Sequence, residues 1–155
     1  AVLRGLKVEI VGMERPATER SRRVVLAQAL PKGDKLDEIL RAGTELGASG
    51  FVLFPSDRTV VRWDEKKTRD RLTRAATIVR EAAELAFRTV LPTIDYHPSL
   101  KAAWTARPGV ALDEDSALEL PLSAQPVPSV VYVGPEGGWS PAERILFGDA
   151  RRSLG

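Results

Sequence analysis

The stretch Ser129-Val-Val-Tyr-Val-Gly134-Pro-Glu-Gly-Gly-Trp-Ser-Pro141 decides the fold. An apolar, β-branched run stops at Gly134, and a loop with three glycines follows it. Ser140 then predicts a helix start, as the N-cap before Pro141 at the first helical position, with Glu143 completing a capping box. A buried strand, a glycine-rich turn and a helix N-terminus in this order are typical of α/β folds that hold a cofactor at the carboxyl end of a strand.

The loop itself matches neither of the common nucleotide-binding loops. No Lys-Ser/Thr pair follows it, and the spacing of Gly134, Gly137 and Gly138 differs from that of dinucleotide-binding loops. Two interpretations are therefore open at this point: a loop whose bare backbone contacts a ligand, and a tight strand-to-helix turn that binds nothing.

Composition limits the classes of protein and site. A chain of 155 residues with 43% hydrophobic and 28% charged residues is long enough for one globular α/β domain. The absence of cysteine excludes disulfides and thiolate metal sites, and with His97 as the single histidine we expect no metal site at all. We find neither a signal peptide nor an apolar run of membrane-spanning length, so we expect a cytoplasmic protein that does not bind a membrane.

Charge is unevenly distributed along the chain. The net charge is +2, but residues 1–90 hold 18 basic and 13 acidic side chains, whereas the remainder holds 5 and 8. The excess in the first half indicates a polyanionic partner on one side of the molecule. A solvated, mixed-charge surface is the alternative explanation of the same excess.

The alternation of apolar segments with amphipathic ones predicts an α/β fold with a mainly parallel sheet flanked by helices. We expect the turns that follow the strands to form the ligand-binding edge of that sheet. The predicted strands cover residues 23–30, 50–54, 59–62, 89–94 (at an edge, because of Pro92), 109–112 and 130–133; the predicted helices cover 35–46, 64–87, 99–104 and 141–147.

Several motifs, taken together and in order, resemble the RsmE family of bacterial ribosomal RNA methyltransferases, which belongs to the SPOUT superfamily. The resemblance runs from about residue 22 to residue 155. Its blocks are Leu26-Ala-Gln-Ala-Leu-Pro-Lys-Gly-Asp-Lys35, Ala42-Gly-Thr-Glu-Leu-Gly47, Ser56-Asp-Arg58, Glu81-Ala-Ala-Glu84 with Arg88, and Gly134-Pro-Glu-Gly-Gly-Trp-Ser-Pro141. One departure is Glu84-Leu-Ala86, where the family usually has Glu-Gln-(Ser/Cys).

The resemblance implies a SPOUT fold with a C-terminal trefoil knot, S-adenosyl-L-methionine as cofactor, and a homodimer with active sites at the subunit interface. It also implies methylation of N3 of one specific uridine in 16S rRNA of the small ribosomal subunit. Residues 1–12 look like the last strand of a PUA-like β-barrel that is otherwise missing, and 13–21 like a linker. Residues 22–155 then form the methyltransferase domain, C-terminally incomplete, because Ser153-Leu-Gly155 matches the start of the block that finishes the knot.

The resemblance also implies roles for individual residues. Arg58 and Arg88 are the candidates to stabilise the uridine anion, and a dimer partner could supply one of them. Glu84 or Glu45 would act as a base, unless each of these acids only pairs with an arginine. Lys32, Lys35 and Arg58 would grip RNA phosphates. The cofactor would be held by Leu112, Asp113, Val133, Gly134, Glu136, Gly137, Gly138, Leu154 and Gly155.

Two residues of the glycine-rich loop keep an alternative role. Glu136 could instead hold the loop by accepting backbone N–H bonds, and Trp139 could stack on a base or serve as a packing anchor. Three functions follow from these patterns. They are a uridine N3-methyltransferase, another SPOUT RNA methyltransferase that modifies a ribose 2′-hydroxyl, and a non-catalytic RNA-binding or dimerisation module.

Overall fold

The computed structural model describes Gly12, Glu19, residues 21–120 and residues 129–154, and strands alternate with helices along these parts of the chain. The strands are β1 (Val25–Ala29), β2 (Gly50–Phe54), β3 (Thr93–Tyr96), β4 (Val110–Leu112), β5 (Val130–Val133) and β6 (Arg151–Arg152). The helices are α1 (Lys35–Glu45), α2 (Glu65–Leu85), α3 (Leu100–Ala106) and α4 (Pro141–Phe147), with a 3₁₀ turn at Gly148–Ala150.

The strands form one sheet in the order β3-β2-β1-β5-β4-β6, and every pairing in it is parallel. On one side of β1 the sheet continues with β2 and then β3. On the other side it continues with β5, β4 and then β6. The order of connection therefore reverses between β1 and β5, and the loops that follow these two strands border a crevice, which is where open parallel sheets bind ligands. We call the edge at which the strands end the carboxyl edge, and the opposite edge the amino edge.

Both faces of the sheet are covered by helices, which explains why β2 is apolar throughout. Phe51 and Leu53 of β2 pack with α1 and α2 on one face, whereas Val52 and Phe54 pack with α3 and α4 on the other. All of these side chains are fully buried. A strand buried on both sides needs an unbroken apolar run rather than an alternating one, as its sequence has. The predicted mainly parallel α/β fold is confirmed.

The predicted helix starts are also confirmed. The Asp64 side chain accepts a hydrogen bond of 2.7 Å from the backbone N–H of Lys67 and caps α2. At α4 the Ser140 hydroxyl accepts from the Glu143 N–H at 3.2 Å, and the Glu143 carboxylate accepts from the Ser140 N–H at 2.8 Å. This reciprocal pair is the capping box expected from the sequence, with Pro141 at the start of the helix.

Two strand predictions were wrong in part or in whole. Residues 59–62 form no strand, because a turn at Ser56 (its N–H donates to the Thr59 hydroxyl at 2.9 Å) leads the chain off the sheet toward α2. The strand predicted at 89–94 begins only at Thr93, after Pro92. The N–H groups of Thr89 and Val90 donate to the Glu19 carboxylate instead of to a strand. The prediction that this strand lies at a sheet edge is confirmed.

Several sequence predictions lie outside the described residues. These are the strand at 1–12, nearly all of the linker at 13–21, and the cofactor contact expected of Gly155. The trefoil knot and the domain division therefore stay predictions. Within the described parts of the chain, none of the helices combines the length and the apolar character that crossing a membrane requires.

Candidate active site

The glycine-rich loop after β5 is a tight turn seated on an aromatic ring. The Gly138 N–H donates to the Pro135 carbonyl at 2.9 Å, and Gly138 has φ +69°, a conformation that side chains with a Cβ rarely adopt. A Cβ at Gly134 would lie 3.2 Å from the indole ring of Trp139. The two glycines thus serve different purposes: Gly138 closes the turn, and Gly134 lets the strand end rest on the indole.

Trp139 fixes this loop to the neighbouring strand. Its side chain is 1% exposed, and its indole N–H donates to the Leu112 carbonyl at 2.7 Å. The ring also meets Phe147 of α4 edge-on, with centroids 4.7 Å apart. Of the two roles considered for Trp139, the structure therefore supports the packing anchor, since a ring enclosed in this way has no face free for a base.

A cavity of about 490 Å³ opens between the ends of β4, β5 and β6. Its size is typical of a pocket for one small molecule. It brings together most of the residues that the resemblance assigned to the cofactor, and Gly137 is not among them. The lining consists of Leu112, Asp113, Glu114, Glu119, Val133, Gly134, Pro135, Glu136, Gly138, Trp139, Arg144, Ser153 and Leu154.

One side of this cavity is held by ion pairs. The buried Asp113 carboxylate lies 3.0 Å from Arg144 Nε and 3.3 Å from Arg151 Nη1, so its charge is balanced within the chain. Glu114 and Glu119 also line the cavity, and neither side chain forms an ion pair or hydrogen bond with another described residue. The cavity thus combines apolar surface with two carboxylates that have no partner among the described residues, which favours a ligand that is partly apolar and positively charged.

The sequence alone did not identify Arg144 and Glu119 as residues of this cavity. Arg144 lies on the helix after the loop, and nothing in its spacing points back to Asp113. Glu119 reaches the cavity because it forms a parallel β-bridge with Ser153, a contact between segments far apart in the chain. Glu114 lies in a run of three acidic residues directly after β4, and this run was the sequence pattern that could have indicated it.

Basic residues surround the outer side of the same loop. The Glu136 carboxylate accepts from the Lys35 ammonium at 3.1 Å and from the Lys32 backbone N–H at 3.3 Å. Its own backbone N–H and then Lys35 hold the pKa of Glu136 below its ordinary value. Glu136 therefore ties the loop after β5 to the loop after β1, which is the holding role considered for it. Lys32 and Lys35 lie at the carboxyl edge, as expected.

Arg58 lies across the loop from the side of β2. Its guanidinium donates to the Gly137 carbonyl at 2.5 Å. A Cβ at Gly137 would lie 3.5 Å from the Cδ of Arg58, so the arginine stem covers this glycine. Gly137 therefore faces Arg58 rather than the cavity. Among the expected catalytic residues, Arg58 is the one that the fold places at the glycine-rich loop.

Arg88 and Glu84 do not reach the glycine-rich loop of the same chain. Arg88 lies at the amino edge, where its guanidinium donates to the carbonyls of Ala48 at 2.6 Å and Thr44 at 3.2 Å. The positions of both residues follow from the direction of α2. This helix returns the chain to the start of β3, so its C-terminus lies at the amino edge. Glu45 ends α1 at the same edge. The roles expected for Arg88, Glu84 and Glu45 therefore stay predictions, and the expected homodimer has its active sites at the subunit interface.

Arg88 has instead a partner that the sequence did not indicate. Its guanidinium lies 2.7 Å from the Glu19 carboxylate, and the Arg88 side chain is only 7% exposed. The second oxygen of Glu19 accepts from the N–H groups of Thr89 at 2.8 Å and Val90 at 3.0 Å. The Arg88 hydrogen bond, with the backbone donors, lowers the pKa of Glu19 to about 2. We call this group the Glu19–Arg88 anchor.

Comparison with known proteins agrees with this architecture. A family model described as RNA methyltransferase domain matches residues 18–153. The ribosomal RNA small subunit methyltransferase E of Bacillus subtilis is 37% identical over 134 residues, which are 78% of this chain and 52% of that protein. The protein of the same name from Synechocystis is 36% identical over 136 residues, covering 79% and 43%. The chain thus spans about half the length of the curated relatives it matches.

A solved structure has a fold similar to that of this chain. The crystal structure of a ribosomal RNA small subunit methyltransferase E from Neisseria gonorrhoeae, bound to S-adenosyl methionine, superposes with a TM-score of 0.81 at 26% identity. The match covers 92% of this chain and 61% of the other. The family model, the curated relatives and the parallel sheet agree, and the chain belongs to the RNA methyltransferase domain family, within which its resemblance to the RsmE group is confirmed.

Proposed function

We propose that this chain is the catalytic domain of an RNA methyltransferase that transfers a methyl group from S-adenosyl-L-methionine to N3 of a uridine in 16S rRNA. The observation that carries the proposal is the cavity at the carboxyl edge. Residues that the sequence resemblance assigned to the cofactor, from Leu112 on β4 to Leu154 after β6, line one space of about 490 Å³.

The residues present fit this cofactor. Leu112, Val133 and Leu154 offer apolar surface for an adenosine, and the bare backbone at Gly134 and Gly138 allows close approach. A methionine sulfonium and ammonium are cationic, and the carboxylates of Glu114 and Glu119 at the cavity complement that charge. When bound, the cofactor supplies a methyl group on a sulfonium, which is already a strong electrophile.

The protein's own contribution is then to position the uridine and stabilise its negative charge. N3 would lose its proton before or while the bond to the methyl carbon forms and the carbon–sulfur bond breaks, which leaves a neutral thioether as the leaving group. Until that transfer is complete, the negative charge of the uridine is shared between N3 and the neighbouring carbonyl oxygens. Arg58, fixed over the loop by its bond to the Gly137 carbonyl, presents a guanidinium beside the cavity rim. A cation placed in advance beside a developing anion is one of the largest contributions a site can make.

The same proposal includes a homodimer in the cytoplasm that acts on 16S rRNA or the small ribosomal subunit. Arg88 and Glu84 lie away from the loop of their own chain, so a direct role for either of them would require a second subunit. Neither a metal nor a membrane enters the proposal. Among the described residues, no group of three or more metal-ligating side chains comes together.

Nucleoside mass spectrometry of rRNA from cells that lack the protein tests this function. We expect 3-methyluridine to disappear from 16S rRNA and to return when the wild-type protein is restored, but not with the Arg58→Gln variant. If a 2′-O-methylated nucleoside disappears instead, the protein is a methyltransferase that modifies a ribose 2′-hydroxyl. An unchanged set of modified nucleosides would contradict catalysis and leave a binding module.

A further inference from the structure

A second cavity, of about 580 Å³, lies beside the first at the carboxyl edge. The two share the start of α4, because Glu143 in the first turn lines this cavity while Trp139, just before the helix, lines the other. None of the expected site residues lies in it. Its lining comes from the loop after β2, the start of α3 and the face of α4: Pro55, Ser56, Asp57, Arg62, Pro98, Ser99, Leu100, Lys101, Ala142, Glu143, Ile145 and Leu146.

The floor of this cavity contains a hydroxyl without a partner. Ser56 is 4% exposed, and its Oγ forms no hydrogen bond with any described residue. Polar atoms buried in native proteins are nearly always paired, since an unpaired one loses its hydration without compensation. A hydroxyl in this position can donate one hydrogen bond to a ligand that enters the cavity.

Two cationic side chains at this cavity also lack a partner among the described residues. Arg62 and Lys101 are exposed, and neither forms an ion pair or hydrogen bond with another described residue. The carboxylates beside them are engaged. Glu143 accepts from the N–H groups of Asp57 at 2.9 Å and of Ser140 at 2.8 Å, and Asp57 accepts from the Ser140 hydroxyl at 2.5 Å. Both carboxylates thus already accept hydrogen bonds, whereas the donors of Arg62, Lys101 and Ser56 have no acceptor among the described residues and can bind an anion.

Apolar side chains form much of the rest of the wall. Pro55, Pro98 and Leu146 line it, and Ile145 on α4 is 81% exposed. Apolar surface next to unpaired cations matches the chemistry of a nucleotide, whose base or ribose packs on the wall while its phosphate meets the cations. A protein partner would bury Ile145 equally well, but it would need carboxylates opposite Arg62 and Lys101, whereas every nucleotide of an RNA strand brings a phosphate.

We propose that this cavity binds a nucleotide of the RNA substrate adjacent in the strand to the methylated uridine, with its phosphodiester on Arg62 and Lys101 and the Ser56 hydroxyl as a further donor. This inference rests on the proposed function, because it assumes that RNA reaches the neighbouring glycine-rich loop. The shared wall at the start of α4 then sets the distance between the methylated base and the nucleotide beside it.

The salt dependence of RNA binding tests this cavity. The Arg62→Gln/Lys101→Gln variant removes two cations, and we expect the slope of log affinity against log salt for a labelled single-stranded RNA to fall by about 1.4, roughly 0.7 for each cation removed from a phosphate. The matched control is Lys66→Gln/Arg80→Gln on the exposed side of α2, which packs on the opposite face of the sheet. We expect its slope to stay within about 0.3 of the wild-type slope.

Further measurements separate binding from folding. We expect the cavity variant to keep the wild-type affinity for S-adenosyl-L-methionine, and to raise KM for small-subunit rRNA while kcat changes little. Ser56→Ala should weaken RNA binding without lowering the melting temperature, because it removes a hydroxyl that has no partner among the residues that the structure describes.

The inference is overturned if the slope of the cavity variant equals that of the control. It is also overturned if the cavity variant instead shifts the sedimentation of the protein, which would make the cavity an interface between copies. The proposed function fails separately, if wild-type protein binds RNA but transfers no methyl group. In that case the two slopes still decide whether the cavity holds RNA.

Discussion

The Glu19–Arg88 anchor gives the sharpest prediction about stability. Glu19→Ala removes the carboxylate that pairs with the Arg88 guanidinium, whose side chain is 7% exposed. It also leaves the N–H groups of Thr89 and Val90 without that acceptor. Removing one partner of a buried pair costs about 3–5 kcal/mol. Because Glu19 is itself 27% exposed, water can replace part of this stabilisation, and we expect a loss of about 2–3 kcal/mol.

Chemical denaturation and calorimetry at neutral pH measure this loss. For a domain of this size, about 2–3 kcal/mol corresponds to a melting temperature lower by roughly 4–12 °C. A double-mutant cycle with Arg88→Met isolates the pair, and we expect a coupling energy above about 1 kcal/mol. The matched control is Glu65→Ala, whose partner Arg69 lies on the surface of α2 and is 66% exposed. It should lose less than about 0.5 kcal/mol.

The effect should also depend on pH in a fixed direction. The pKa of Glu19 is lowered from an ordinary 4.5 to about 2, so its contribution is fully present above the ordinary value and is lost as pH falls from 4.5 toward 2. The stability difference between wild type and Glu19→Ala should therefore shrink over that range. A loss below about 0.5 kcal/mol at neutral pH, or a difference that is constant down to pH 2, would refute the reasoning.

Three further predictions concern the glycine-rich loop. Gly138→Ala should lose about 1–2 kcal/mol and weaken S-adenosyl-L-methionine binding in calorimetry, because φ is +69° there, whereas Gly137→Ala should be tolerated. Trp139→Phe removes the N–H that pairs with the Leu112 carbonyl at 2.7 Å and should lower the free energy of unfolding by about 1–3 kcal/mol. Ser140→Ala removes the α4 cap and should lose about 0.5–2 kcal/mol in chemical denaturation, with a smaller loss for Ser140→Gly.

Local signals explain what the sequence could predict. The strands β2 and β5 were predicted to the residue because each is a short apolar run that ends at Pro55 or Gly134. The Asp64 cap of α2 and the capping box of α4 each join residues that are three positions apart in the sequence. The edge position of β3 followed from Pro92, which lacks the N–H that a second neighbour would need.

Long-range contacts explain what it could not predict. The position of Arg88 depends on where α2 ends in space and on Glu19, which is 69 residues away in the chain. The second cavity depends on α3 and α4 meeting the loop after β2, and no local pattern around Ser56 or Lys101 indicates that meeting. The expected strand at 59–62 had suitable β-branched residues, but the turn before it directs the chain away from the sheet.

A crystal structure of the protein grown with S-adenosyl-L-methionine tests the account most directly. We predict cofactor density against the backbone of Gly134 and Gly138, between Leu112 and Leu154, with its charged groups toward Glu114 and Glu119. A cavity that stays empty at saturating cofactor, or cofactor bound elsewhere on the chain, would contradict it.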